Sequence, residues 1–224
     1  MKTRLSSLVA IVAAFIGFAF VSLASVHAAT ITVQDTGDGA ANAGNCPGSG
    51  CRLRDALAAA SDGDTIDFSV TGTILLTNGH LLVDKSVTIS GPGAAQLAVN
   101  GNANGRVFYI GSGKTVSISG LTITNGSGTE NSIAVNGGGF YNDHATLTLS
   151  NCSVSGNSST AGGGIWNDGS SSGNATLTIR SSTISGNSTS GGGGGIGNDG
   201  HNGGHATCTV ENSTISAQNC QLPI

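Results

Sequence analysis

A glycine-rich motif recurs along the second half of the chain and constrains its fold more than any other feature. Each copy joins three glycines to Phe or Ile, one further residue and Asn-Asp, and a 14-residue alternating segment follows it. The copies are "GGGFYND" (137–143) with "HATLTLSNCSVSGN" (144–157), "GGGIWND" (162–168) with "NATLTIRSSTISGN" (174–187), and "GGGIGND" (193–199) with "HATCTVENSTISAQ" (205–218). Repeats of this length are typical of solenoids.

The alternating segments predict short β-strands with one buried face. In the first copy Leu147, Leu149, Cys152 and Val154 point one way and the threonines point the other way. One coil cannot bury its own apolar face, whereas stacked coils enclose a narrow core. We therefore predict an all-β fold, a parallel β-helix of about five coils over residues 65–219, with stacked strands about 4.8 Å apart.

Stacking predicts that equivalent residues of successive coils form ladders, and that the glycines occupy corners with little room for a Cβ atom. An asparagine ladder at one corner would bond side-chain amides to each other and to the backbone. The predicted ladders are Phe140–Ile165–Ile196, Leu147–Leu177–Cys208, Leu121–Cys152–Ser182–Ser213 and Asn142–Asn167–Asn198.

The segment "CRLRDALAAASDGDTIDF" (51–68) has a different period. Leu53, Ala56, Leu57 and Ala60 fall on one helical face, and the charged residues lie elsewhere. A helix near 52–60 is therefore expected to cap the first coil, which otherwise exposes its core and an unpaired strand edge. The predicted organisation is a signal peptide at 1–28, a cap segment at 29–64, the β-helix at 65–219 and a tail at 220–224.

The N-terminus predicts export. Lys2 and Arg4 precede "LVAIVAAFIGFAFVSLA", and "VHA" before Ala29 suits a signal peptidase. A membrane anchor is the alternative, because the apolar stretch is about long enough to span. Without Lys2 and Arg4, six of the 8 basic residues face 12 acidic ones, a net charge of about −6. This balance argues against nucleic acid or an anionic membrane as partner, and we expect no membrane insertion beyond the signal peptide.

Five cysteines leave at least one without a partner in the chain. Cys46 and Cys51 bracket the turn-forming spacer "PGSG" and are the expected disulfide, which export permits. Cys152 and Cys208 fall on different ladders two coils apart, beyond the reach of a disulfide.

The cap motif also carries a family resemblance. Together with "SVTISGPG", "RVFYIGSGKTVSISGLTITNG" and the repeats, it resembles the secreted bacterial proteins of the CSLREA-domain type over about residues 30–219. The resemblance implies an extracellular or cell-surface right-handed parallel β-helix, similar to pectate-lyase-like and polymorphic outer-membrane proteins. It implies no catalytic residue. The Cys-x-Leu-Arg-acidic-Ala core of the motif is met by Cys51, Leu53, Arg54, Asp55 and Ala56. Position 52 departs from the pattern with Arg for Ser, and the acidic residue is Asp55 where the family has Glu.

Two rows of side chains are candidate sites. Tyr141 and Trp166 are predicted to face outward on neighbouring coils, with a gap at Gly197, so they form either a glycan platform or a cross-strand pair that only stabilises the sheet. Asp143, Asp168 and Asp199 form an acidic row that is either solvated or bridged by Ca²⁺, and no other cofactor is expected. His144 and His205 share a repeat position but lie two coils apart, too far for one metal.

Enzymatic signals are weak. A polysaccharide lyase needs a base near its substrate, but Arg52 and Arg54 lie on the cap, and Arg180 is expected to pair with Glu211 of the next coil. The favoured function is therefore a secreted or cell-surface, non-enzymatic structural or adhesion role, with an extracellular glycan or a cell-surface partner. A carbohydrate-active enzyme (a lyase or hydrolase) or a glycan-binding module on the same fold is the alternative.

The C-terminal coil has no evident cap. Cys208, Val210 and Ile215 would lie close to water, and "QNCQLPI" contains neither a helix nor a charged residue that blocks the edge. We expect either continuation in a longer β-helix or end-to-end self-association of two copies.

Overall fold

The computed structural model describes residues 28–130, 133–216 and 218–220. The predicted signal peptide, apart from Ala28, and residues 221–224 of the predicted tail lie outside the described residues. Within them, no helix is both long enough and apolar enough to cross a membrane.

The described chain is built almost entirely from short strands. It has one 3-10 turn at Ala43–Asn45 and one α-helix, α1, at Leu53–Ala59. The strands are β1 Thr30–Val33, β2 Thr65–Phe68, β3 Gly72–Leu75, β4 Leu81–Val83, β5 Thr88–Ser90, β6 Leu97–Asn100, β7 Phe108–Ile110, β8 Thr115–Ser119, β9 Thr122–Thr124, β10 Thr129–Glu130, β11 Ile133–Ala134, β12 Phe140–Asp143, β13 Thr146–Ser150, β14 Ser153–Ser155, β15 Ser158–Ser159, β16 Ile165–Asp168, β17 Asn174–Arg180, β18 Thr183–Ser185, β19 Ser188–Thr189, β20 Ile196–Asp199, β21 His205–Glu211, β22 Thr214–Ser216 and β23 Asn219–Cys220.

These strands stack in parallel sheets that run along the molecule. The seven-stranded sheet has the order β1-β2-β5-β8-β13-β17-β21, the six-stranded sheet β3-β6-β9-β14-β18-β22, and the five-stranded sheet β4-β7-β12-β16-β20. A short three-stranded sheet, β15-β19-β23, joins them in the later coils, and β10 and β11 form a small antiparallel hairpin. Each turn of the chain visits the seven-, six- and five-stranded sheets in succession. The predicted parallel, solenoid-type all-β fold is confirmed.

The core consists of the predicted ladders. Phe140 pairs with Ile165, which pairs with Ile196, and Phe108 extends this ladder by stacking on the Phe140 ring at 5.2 Å. Leu147, Leu177 and Cys208 also lie in register. Because equivalent apolar side chains lie above one another, each coil covers the apolar face of the next.

The triple glycines occupy a corner that has no room for side chains. Gly162, the first of its copy, has φ +62°, a conformation that L-residues rarely adopt. The second and third glycines lie against the next coil, where a Cβ atom on Gly163 would be 2.5 Å from the carbonyl oxygen of Gly194 and one on Gly164 would be 2.6 Å from that of Gly195. The corner therefore requires glycine for two reasons, backbone conformation and close approach.

The cap differs in part from the prediction. Helix α1 lies where its period predicts, but β1 precedes it and pairs in parallel with β2, so the seven-stranded sheet begins at Thr30 and not at Thr65. The alternation of four residues in β1 is too short to distinguish a strand from a loop in the sequence. A disulfide joins Cys46 to Cys51, with Cα atoms 4.8 Å apart. Cys152 is a buried free thiol and Cys208 a half-buried one.

The charged residues of the cap motif form a partly buried network. Asp55 is 0% exposed and accepts hydrogen bonds from Nε of Arg52 (2.7 Å), Nδ2 of Asn45 (2.9 Å) and the backbone N–H of Asn42 (2.7 Å). The Arg54 guanidinium binds Asp38 and the carbonyl oxygens of two residues that lead into β4. These contacts fasten α1 to the chain on both sides of it, so the motif has a structural role.

Candidate functional site

The outer face of the five-stranded sheet brings together most of the predicted site residues. Tyr141 lies beside Trp166 on the adjacent strand, and Gly197 follows Trp166 in register. The row also contains Tyr109, on β7, which pairs with Tyr141 from the other side. Sequence reasoning missed Tyr109 because β7 lacks the triple-glycine motif, although "FYI" at 108–110 matches "FYN" at 140–142.

The two tyrosine rings stack on each other. Their centroids are 5.3 Å apart and their planes differ by 2°. The guanidinium carbon of Arg106 lies 4.8 Å from the Tyr141 ring centroid and 5.4 Å from that of Tyr109. The Tyr109 and Tyr141 rings therefore stack face to face along the solenoid axis. Because each of these two faces is covered by the other ring, a sugar could not stack between the two tyrosines.

Trp166 fills the gap that was expected beside it. A Cβ atom on Gly197 would lie 2.5 Å from Cζ3 of Trp166, so the indole ring lies over the glycine of the next coil. The predicted free space at Gly197 is therefore occupied by Trp166 itself. Only glycine at position 197 leaves room for the ring.

The acidic row lies in register, as the repeat predicts, but its carboxylates are not simply solvated. Asp143 pairs with Asp168, and Asp168 pairs with Asp199. The hydroxyl of Tyr109 donates to Asp143 at 2.5 Å, and the hydroxyl of Tyr141 donates to Asp168, so each phenol reaches the carboxylate of the following coil. Asp168 is 9% exposed. Asp199 instead contacts His201.

His144 has partners on both sides of its ring. Nδ1 contacts Asp143, and Nε2 lies 2.8 Å from the carbonyl oxygen of Ser170, which can only accept. The hydrogen bonds to Asp143 and Ser170 raise the pKa of His144 above its usual value. Both ring nitrogens therefore face oxygen atoms that accept hydrogen bonds, an arrangement that favours the protonated ring.

The pKa values of the other groups follow from the same contacts. Burial and the hydrogen bond to Asp143 raise the pKa of Tyr109 to about 12, and burial together with Asp168 raises that of Tyr141 further. Burial alone would raise the pKa of Asp168, but hydrogen bonds from Tyr141 and Ser170 outweigh it and lower the pKa. At neutral pH the Tyr109 and Tyr141 phenols are therefore neutral, and the Tyr141 hydroxyl donates to an ionised Asp168 carboxylate.

The described residues do not gather a metal site. Among them, no group of three or more His, Cys, Asp or Glu side chains is arranged to hold a metal ion. The oxygens of Asp143 and Asp168 that were considered for Ca²⁺ instead accept hydrogen bonds from phenols, His144 and the backbone N–H of Ser170.

Two asparagine ladders support this face from inside the coils. Nδ2 of Asn142 donates to Oδ1 of Asn167 at 2.7 Å, and Asn167 donates to Asn198 in the same way. A second ladder, which sequence reasoning missed, joins Asn157 to Asn187 at 3.0 Å. The recurring "SGN" at 155–157 and 185–187 could have indicated it, because an asparagine that recurs at a solenoid corner can bond to its counterpart.

Comparison of the chain with protein-family models, curated proteins and solved structures found no match.

Proposed function

We propose that the protein is a secreted or cell-surface solenoid with a non-enzymatic, structural or adhesive role. The observation that supports this proposal is the mutual engagement of the polar groups around Tyr109 and Tyr141. Both phenols donate to carboxylates, and both nitrogens of His144 are engaged. These contacts stabilise neighbouring coils against each other and leave no base or acid of the cluster uncommitted.

Glycoside hydrolysis on these carboxylates is the less favoured alternative. Such enzymes need a protonated acid with a raised pKa beside a second, ionised carboxylate. The pKa of Asp168 is lowered, and Asp143 accepts from both Tyr109 and His144. A lyase would need a free base beside its substrate, but both ring nitrogens of His144 are engaged, one by Asp143 and one by the carbonyl oxygen of Ser170.

Export is part of the proposal. It is supported by the basic, apolar and small-residue pattern before Ala29 and by the Cys46–Cys51 disulfide, since disulfides persist mainly in oxidising compartments. We also propose that the solenoid is right-handed, because crossovers between parallel strands of one sheet are right-handed in almost all proteins. The match of Cys51, Leu53, Arg54, Asp55 and Ala56 to the cap motif supports membership of the CSLREA-domain type.

The proposal is tested with the wild type and two variants, Trp166→Ala and Asp168→Asn. The three proteins are incubated with uronate polymers and neutral glycans and are applied to a glycan array. We expect that none of the three forms a product or gives a binding signal. A sugar platform would be established if the wild type bound a glycan and Trp166→Ala abolished this binding while its melting curve matched that of the wild type. Turnover that Asp168→Asn abolishes would establish an enzyme. Either result overturns the proposal.

A further inference from the structure

The outer face of the seven-stranded sheet carries a regular array of hydroxyl groups outside the candidate site. The parallel register aligns one row across all seven strands, and a second row runs beside it across four strands. The first row is Thr30, Thr65, Thr88, Ser117, Thr148, Thr178 and Thr209, and the second is Thr115, Thr146, Thr176 and Thr207.

The backbone fixes the spacing of this array in two directions. Adjacent strands place equivalent side chains about 4.8 Å apart, and residues two apart on one strand lie about 6.7 Å from each other. Thr146 and Thr148, for example, flank the buried Leu147, and the same pattern recurs in β17 around Leu177. Threonine is stiff at χ1 and the leucines beneath form a packed ladder, so the array is preorganised.

The hydroxyl groups of both rows are available to solvent. None of them hydrogen-bonds to another of the described residues, and neither row contains a charged side chain. In the next row along the strands, charge appears at Asp67 near one end and at the exposed Arg180–Glu211 ion pair (2.8 Å) near the other. The two rows therefore favour an uncharged partner, and their spacing favours one that repeats in two dimensions.

We propose that this face binds ice. The oxygen atoms at ice surfaces repeat at distances close to these two spacings, and each threonine presents both a methyl group and a hydroxyl group to them. The methyl groups exclude disordered water, and the hydroxyls hydrogen-bond to water molecules in lattice positions. This inference deepens the proposed adhesive role and rests on it, since it names the lattice to which the protein would adhere.

A crystalline polysaccharide fits the face less well. Flat glycans are bound mainly by stacking on aromatic rings. The two rows contain none, and the tyrosines and the tryptophan lie on the five-stranded sheet.

The test compares the wild type with Thr148→Tyr/Thr178→Tyr. These adjacent residues lie on β13 and β17, the two middle strands of the four that carry both rows. The control is Ser155→Tyr/Ser185→Tyr, a pair in register on the outer row of the six-stranded sheet. Thermal hysteresis, ice-crystal shaping and partition into a growing ice front are measured, and circular dichroism melts establish that each variant folds.

We expect ice shaping, hysteresis and partition for the wild type, loss of all three in the threonine variant, and retention of all three in the control. Absence of ice activity in the wild type, or an equal loss in both variants, would overturn the inference. The inference would also be overturned if the wild type bound chitin or cellulose particles but not ice, and if the threonine variant lost that binding. If the protein does not bind ice, only this inference is wrong, and the proposed non-enzymatic role is unaffected. That role is contradicted by a different result, namely turnover of a glycan or binding of a soluble glycan.

Discussion

Asp55 shows how a single buried charge holds the cap together. Burial alone would raise the pKa of its carboxyl group, but hydrogen bonds from Arg52, Asn45 and the backbone of Asn42 outweigh this effect and lower the pKa to about 2. The helix periodicity indicates only that Asp55 lies off the apolar face of α1. Its burial arises because the 3-10 turn at Ala43–Asn45 folds over it.

Asp55→Asn is expected to lower the free energy of unfolding by about 2–3 kcal/mol at neutral pH, because it removes a buried carboxylate whose ionised form the fold stabilises. Because folding lowers this pKa, the contribution of Asp55 is full above its unfolded pKa of about 3.9 and is lost as the pH falls through about 2. Urea unfolding at pH 7 and pH 2 should therefore show a large difference between wild type and variant at pH 7 and a small one at pH 2.

The control for this prediction is Asp84→Asn, which removes an exposed carboxylate that pairs with Lys85 at 3.0 Å. Its effect should stay within about 0.5 kcal/mol. An Asp55→Asn protein as stable as the wild type at pH 7 would show that the network contributes little.

At the scale of elements, the ladder is the unit that explains the structure. The same corner recurs in the coils that contain β12, β16 and β20, and Gly137, Gly162 and Gly193 each begin it with a positive φ. Asn157 and Asn187 lie against the third glycine of two successive corners and hydrogen-bond to each other, so a change at one coil is felt by its neighbour. Glycine is therefore a packing requirement here and not a sign of disorder.

Gly163→Ala should destabilise the protein by about 1–3 kcal/mol, because its Cβ atom would meet backbone atoms of the next coil, which cannot move without separating the strands. Gly192→Ala is the matched control, since a Cβ atom there meets nothing within 4 Å. It should be neutral or stabilising by up to about 1 kcal/mol. Thermal melts of the two variants check the difference, and similar melting temperatures would show that the corner can relax.

At the scale of the whole molecule, the two ends of the solenoid differ. Helix α1 packs at the end where β1 and β4 lie. At the other end β20, β21 and β22 are the last strands of their sheets among the described residues. There Val210 is 41% and Ile215 46% exposed, as the sequence predicts, and Cys208 is half-buried.

This asymmetry refines the expected end-to-end association. Because α1 covers one end, two copies should meet through their C-terminal coils, with a two-fold axis between them. We predict concentration-dependent dimers in sedimentation velocity, weakened by Val210→Thr/Ile215→Thr. Leu82→Thr, which changes a 49% exposed residue on β4, should leave association unchanged. A wild type that stays monomeric up to roughly tens of micromolar would contradict the prediction.

The sequence by itself determined the strand alternation, the register of the ladders from Phe140 onward and the position of α1. These features could be predicted because in-register stacking makes residues one repeat apart neighbours in space. The exposed apolar residues at the last coil follow from the same pattern. The resemblance of the cap motif added an expectation about family and handedness, which stays a proposal.

Only the tertiary structure decided the contacts that cross the repeat. Tyr109 joins the aromatic row from a coil without the glycine motif, and each phenol reaches the carboxylate of the following coil. Trp166 turns over Gly197, and β1 joins the sheet from before the cap. These features depend on side-chain rotamers and on chain segments distant in sequence. A periodic pattern specifies which residues lie above one another, but not how far a long side chain leans toward the next coil.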